Sequence, residues 1–214
     1  MGPRWGCLSQ DRASRFIVAW ASGPRETALA EAVVQTTRRR TAGQAGVHGI
    51  SDGWPAYAET ITDTYCDAVP SGDARFRILK RTPGVALTQA IKHRHGRRLI
   101  EIEVRATIGP VAAQPYDVHI ERCNGVLRDR LACLTRKTHA FAKRTATWDA
   151  AVGLAIFAQN WLRPHPALRQ LLAVPDAQGR RYDRVTPAIQ LGLTDHVWDL
   201  AEFLAHPVPH HAWG

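Results

Sequence analysis

Cysteine is sparse in this chain, four in 214 residues. Cys7, Cys66, Cys123 and Cys133 form no CxxC pair and have no histidine at zinc-ligand spacing, which excludes a zinc ribbon and a dithiol redox motif. They read as reduced thiols of a cytoplasmic protein. No apolar run is long enough to span a bilayer and no basic amphipathic helix is visible, so a membrane is excluded as a partner. The opening MGPRWGCLSQDRAS has no apolar stretch behind its basic residue, and nothing in it marks export. Acid is the other shortage: 19 Asp and Glu face 28 Lys and Arg, a formal charge of +9. That balance favours a polyanionic partner, nucleic acid first, and a cytoplasmic, nucleoid-associated location.

What is present reads as one α/β domain with an appendage. RFIVAWASG (15 to 23) is apolar on both alternating faces, as a central strand covered on both sides would be, and WGCLSQ (5 to 10) fits a preceding hairpin strand. Residues 24 to 40 predict a helix, with Ala28, Ala32 and Val33 as its apolar stripe and Arg38 to Arg40 at its end. VHGISDGW (47 to 54) predicts a strand with Asp52 at its carboxyl end, the edge where ligands gather in open α/β sheets. A second helix is expected from Trp54, and strands over RFRIL (75 to 79) and LIEIEVRAT (99 to 107), the latter with Ile100, Ile102 and Val104 inward. Asp117 suits the N-cap of a helix from 118 to about 134. TWDAAVGLAIFAQNWL (147 to 162) predicts an apolar helix, and short helices capped by Thr and Asp follow it. The ending AHPVPHHAWG, rich in Pro and His, reads as a loose tail.

The basic residues lie in two blocks. Residues 75 to 98 hold eight Lys or Arg and no acid, and residues 122 to 144 hold seven against the single acid Asp129. Between them stands HIERCNGVLRDR (119 to 130), whose helical spacing projects Glu121, Asn124 and Arg128 from one face. Two readings fit that face. In one, the carboxylate holds a hard divalent cation while the amide and guanidinium steady phosphate oxygens. In the other, it is the solvated surface of a basic helix.

The run IERCNGVLRDRLACLTRKTHAFAK, preceded by ISDGWPAY and followed by NWLRPHPALR and TPAIQLGL, resembles the DDE-type transposases of bacterial insertion sequences, in the branch typified by insertion sequence one. The likeness runs from about residue 15 to about residue 204. It rests on the ER-x-N-x-x-x-R helix, the RKT-x-x-F-x-K run, the N-x-x-RPH-x-x-L run and the SDGW segment. The resemblance implies an RNase-H-like core, a mixed sheet flanked by helices over residues 1–146, with a helical extension over 147–214. It also implies three acids binding Mg2+ or Mn2+ for strand cleavage and transfer on double-stranded DNA, commonly by an assembly of several copies.

Residue by residue, Asp52 matches the family's second Asp and Glu121 its helical Glu, as metal ligands and catalytic acids. Arg122, Asn124 and Arg128 match the residues that accompany that Glu. Arg136, Lys137, Thr138, Phe141 and Lys143 match the following run; with the helix residues, Arg136, Lys137 and Lys143 are the implied DNA contacts. Ala142 replaces a usual Ser, and His119 replaces a small or hydroxyl residue.

The front of the chain departs from the family. Such a core has three antiparallel strands before its first helix, with the first catalytic Asp on the first of them. Here there is room for two, and Asp11 lies in the turn between them. The expectation is a core lacking its first strand and first Asp, hence impaired in strand transfer. Its alternatives are a catalytically inactive DNA-binding remnant and a basic nucleic-acid-binding protein whose acids are structural.

Overall fold

A computed structural model of the chain describes residues 4–42, 44, 46–70, 77–135, 139 and 142–206. The fold is mixed α/β, with both parallel and antiparallel strand pairs. Its contacts divide the chain into two compact units, Met1–Ser9 with Val18–Arg122, and Gln10–Ile17 with Cys123–Gly214. The division falls within a helix at residues 122 and 123, whereas the sequence placed the boundary at 146.

In the first unit, strands β1 (Trp5–Gln10) and β2 (Ile17–Gly23) form a two-stranded sheet. This corrects the reading of β2 as a central strand: its only described strand neighbour is β1, and helix α1 (Thr27–Arg40) supplies much of its cover. The buried stripe of α1 is Leu29, Ala30, Val33 and Val34; of the expected Ala28, Ala32 and Val33 only Val33 belongs to it, because Ala28 and Ala32 fall on the exposed side of the helix. Leu29 and Val33 pack with Cys7 and Ala19 of the hairpin, while Val34 packs with Tyr65 and Val85. Strand β3 (His48–Asp52) ends at Asp52 as expected, and helix α2 (Pro55–Thr64) starts three residues later with proline in its first turn, where a missing N–H costs nothing.

Three further points differ from the sequence reading. Strands β4 (Cys66–Pro70) and β5 (Arg77–Arg81) form a separate antiparallel pair, of which only the second was foreseen. Strand β6 (Ala86–His95) was read only as a basic block, yet it is the middle strand of a sheet ordered β3-β6-β7. Its first five residues are all buried, Thr88 and Gln89 included, so the segment lacks the apolar–polar alternation that marks a half-buried strand. Strand β7 (Arg98–Ile108) pairs antiparallel with β6, but Ile100 is 61% exposed because the hairpin extends beyond the body there.

In the second unit, the turn between β1 and β2 is closed by Asp11, whose Oδ2 accepts from the Ser14 amide at 2.7 Å and its hydroxyl at 2.5 Å. Asp11 is a turn acid, and Ser14 beneath it is fully buried. Helix α3 (Val118–Arg130) stops short of the expected end and gives way to a 3-10 turn at Ala132–Leu134. Helix α4 (Thr145–Phe157) runs into a π turn at Ala158–Leu162. Within that turn Asn160, 3% exposed, donates Nδ2 to the Ile17 carbonyl at 3.0 Å and accepts the Ile17 amide on Oδ1 at 2.9 Å. Phe157 and Trp161 join Phe16, Trp198 and Phe203 in an aromatic core. Thr186 and Asp199 cap α5 (Pro187–Gln190) and α6 (Leu200–Ala205), as the sequence suggested. The expected tail lies mostly outside the described residues.

All four cysteines are free. Burial pushes the Cys7 thiol up, and pushes Cys123 up to about 11 against the opposing pull of Arg130. At pH 8 iodoacetamide should therefore modify the half-buried Cys66 and Cys133 first, with Cys7 and Cys123 reacting only on unfolding. Intact-mass measurement of the native protein checks this; equal labelling of Cys123 and Cys133 would contradict it.

Candidate functional site

The SDGW segment sits where the parallel pair β3 and β6 ends. In the parallel register Asp52 lies opposite Ala90, and Gly53 follows with Ile91 as its neighbour. A Cβ on Gly53 would stand 3.0 Å from Cγ1 of Ile91, so the chain passes too close for a side chain. The turn is held at both ends of Asp52. Its carbonyl accepts Nε2 of Gln89 at 2.9 Å, and its own Oδ1 accepts the Trp54 amide at 3.0 Å. Gln89, 5% exposed, also accepts the Thr107 hydroxyl at 2.9 Å and ties all three strands together at this point.

Successive side chains alternate across a sheet, so Asp52, Ala90 and Lys92 share one face. The same face carries His48 and Thr88, whose Nε2 and Oγ1 lie 2.9 Å apart, and Thr88 Oγ1 accepts the Ala112 amide at 2.8 Å. Those bonds lay the segment after β7 across the face and deliver the start of α3 to it. Asp117 accepts the first helical bond, its carbonyl taking the Glu121 amide at 3.1 Å, as an N-cap residue should.

Lys92 is the hub. Its ammonium donates to both Asp117 oxygens, at 3.1 and 3.2 Å, and to Oε1 of Glu121. The Asp117 side chain is 9% exposed and that of Glu121 57%, so the Asp117 contact is the shielded one. Burial is the largest influence on Lys92 and would lower its pKa. The hydrogen bonds and charges of Glu121 and Asp117 together outweigh it, and the net shift is upward. Raised in this way, the pair's contribution is complete below the ordinary lysine range and disappears as pH climbs through the folded-state value.

On the other side of the SDGW turn, Trp54 meets Tyr57 edge-on at 5.2 Å, and the Arg25 guanidinium lies 5.4 Å from the Trp54 ring and 4.9 Å from that of Trp5. The Tyr57 hydroxyl lies 2.9 Å from Cys7 Sγ. Burial drives the Tyr57 pKa far upward, and the negative charge of Asp52 adds to that shift and to the one on Cys7. Both groups are neutral at physiological pH and support the floor of the turn.

Of the residues singled out from the sequence, Asp52 stands on the sheet face that Lys92 shares, and Glu121 is held over that face by Lys92, which links it to Asp117 and makes no described bond to Asp52. Arg122 is exposed on α3 beside Glu121, whereas Asn124, Arg128 and Lys143 belong to the second unit. Arg136, Lys137, Thr138 and Phe141 lie outside the described residues. Glu103 pairs with Arg105 at 2.7 Å and His93 at 3.0 Å along the hairpin. Sequence reasoning missed Lys92 and Gln89. The signal for Lys92 was period two along Thr88, Ala90 and Lys92, which carries a lysine onto a covered face.

Among the described residues no group of three or more His, Cys, Asp or Glu side chains is placed to hold a metal ion. Asp52 and Glu121 are hard oxygen donors of the type Mg2+ and Mn2+ take. An ammonium already neutralises Glu121, so this donor set fits a divalent cation only with Lys92 turned away. No family model, curated protein or solved structure matches the chain.

Proposed function

We propose that this chain is a DDE-type insertion-sequence transposase core of the insertion-sequence-one-like branch, able to hold double-stranded DNA and impaired in metal-dependent strand cleavage and transfer. The observation that carries the proposal is the convergence on one sheet face. Asp52 ends a strand paired in parallel with β6, and Lys92, two residues beyond Ala90 on the same face, holds Glu121 from α3, so both acids lie toward the carboxyl end of a parallel strand pair, where open α/β sheets present their ligand sites. The mixed α/β order, an antiparallel hairpin, a helix and then β3 in parallel with β6, supports this reading at the level of fold class, with β1-β2 and β3-β6-β7 as separate sheets among the described residues.

In this reading Asp52 and Glu121 hold Mg2+ or Mn2+, which supplies Lewis-acid activation for in-line attack on a phosphodiester. Arg122, Asn124, Arg128 and Lys143, together with Arg136 and Lys137, bind DNA phosphates. Copies of the chain assemble on the two ends of an element. A second reading, a catalytically inactive DNA-binding remnant, is favoured by one contact: Lys92 occupies Glu121 with a built-in cation.

Calorimetric titration with Mn2+ separates the two. Weak binding, further weakened in Asp52→Asn and in Glu121→Gln, supports the metal-site reading. Equal isotherms in wild type and both variants remove it and leave the remnant. In either case affinity for duplex DNA should fall as salt rises, since each phosphate contact releases counterions. An affinity that salt does not change would reject both.

A further inference from the structure

Beyond Asp52 the β6–β7 hairpin leaves the body of the molecule. Strand β3 ends opposite Ala90, so from Ile91 onward the sheet is a two-stranded ribbon. The ribbon closes through Gly96 and Arg97, with Gly96 at φ +61°, the left-handed conformation that a two-residue hairpin turn requires. Every residue from 93 to 101 is exposed. Three residues of strand, 93 to 95, beyond the ion pairs of Lys92, carry the tip about 10 Å out at the usual rise per residue.

The chemistry of the tip is one-sided. Residues 94 to 100 read RHGRRLI: three arginines, one histidine, two large apolar side chains and no acid. Among the described residues Arg94, Arg97 and Arg98 have no carboxylate partner; the acids of the ribbon lie behind the tip, Glu101 opposite His93 and Glu103 paired with Arg105 and His93. Leu99 and Ile100 are 41% and 61% exposed. Crowded guanidiniums repel, and exposed Leu and Ile gain nothing from water. Such a tip is stabilised by a polyanion that also presents apolar surface.

The geometry points to duplex DNA as that partner, with the ribbon tip entering the major groove. That groove is about 12 Å wide and admits a two-stranded β-ribbon; its floor offers guanine acceptors to arginine and thymine methyls to apolar side chains. The corresponding groove of duplex RNA is deep and too narrow for side chains to read. The inference rests on the DNA-binding reading above and adds to it a contact element that the resemblance did not supply.

The test is fluorescence anisotropy of the full chain on a 30-base-pair DNA duplex and on the RNA duplex of the same sequence, for wild type and Arg94→Ala/Arg97→Ala/Arg98→Ala. The variant lies wholly in the exposed tip and should keep the wild-type melting temperature. Expected are a tenfold or greater loss of DNA affinity at 100 mM salt and a salt-dependence slope shallower by up to about 2.7, at about 0.9 per lost phosphate contact. RNA-duplex affinity should change less than threefold. Unchanged DNA affinity in the variant overturns the ribbon as a contact element while leaving DNA binding intact. An equal loss on DNA and RNA overturns groove entry. If the wild-type chain does not bind the DNA duplex at all, the functional reading fails with it.

Discussion

Replacing Asn160 with alanine should lower folding stability by about 2–5 kcal/mol, since each stranded buried polar group costs about 1–3 kcal/mol and two are stranded here. One amide side chain satisfies both the N–H and the C=O of Ile17, which is 1% exposed and has no water to turn to. The effect should appear as a melting temperature lower by roughly 5–15 °C, at about 2–4 °C per kcal/mol for a chain of this size. Asn160→Asp keeps the acceptor, loses the donor and buries a charge, so it should not recover wild-type stability. Urea unfolding followed by circular dichroism measures both variants. A loss below about 0.5 kcal/mol in Asn160→Ala, the range of an ordinary surface change, would show that the paired bonds do not anchor this turn.

The second large effect concerns Lys92, and it has two opposite readouts. Lys92→Ala removes the ammonium from the shielded carboxylate of Asp117 and should destabilise the fold by about 2–3 kcal/mol, somewhat less than the loss of one partner from a fully buried pair. The same change removes the cation that competes for Glu121. Two unit charges about 4 Å apart interact by about 4 kcal/mol at the effective dielectric of a protein surface, and screening reduces this. A gain in Mn2+ affinity of about tenfold, or 1.4 kcal/mol, is therefore expected, and Lys92→Ala/Glu121→Gln should cancel it. Calorimetry and thermal melts on the same samples separate the two effects. Lower stability with unchanged Mn2+ affinity would mean that Lys92 is structural and that Glu121 is no metal ligand.

How far the sequence foretold this arrangement depended on whether local pattern or tertiary contact decided each element. Strand β3, with Asp52 at its carboxyl end, was legible because Asp-Gly stops the strand and proline starts the next helix. Helices α1, α3 and α4 were legible in place, α3 with its Asp117 cap, but the covered face of α1 was misassigned, since Leu29 and Val34 rather than Ala28 and Ala32 are buried with Val33. Strand β6 was not, because its buried half mixes apolar residues with Thr88 and Gln89 and its outer half is mostly basic, so neither half alternates apolar with polar. The link between Glu121 and Lys92 was also hidden, since only the pairing of β3 with β6 places Lys92 beyond Asp52 on the same face. Asn160 belongs to the N-x-x-RPH run that carried the family resemblance. Its work here is to hold a turn, a role that spacing alone does not distinguish from DNA contact.

Asp52 and Lys92 also differ in how they are secured. Lys92 is held by its ion pairs to Asp117 and Glu121, whereas Asp52 closes a five-residue strand that, among the described residues, is paired on one side only. Local opening free energy follows such differences, and backbone amides on β3 should exchange with deuterium well before those of the buried half of β6. The acid at the end of β3 can then swing away transiently while the ammonium and its two carboxylates stay locked together.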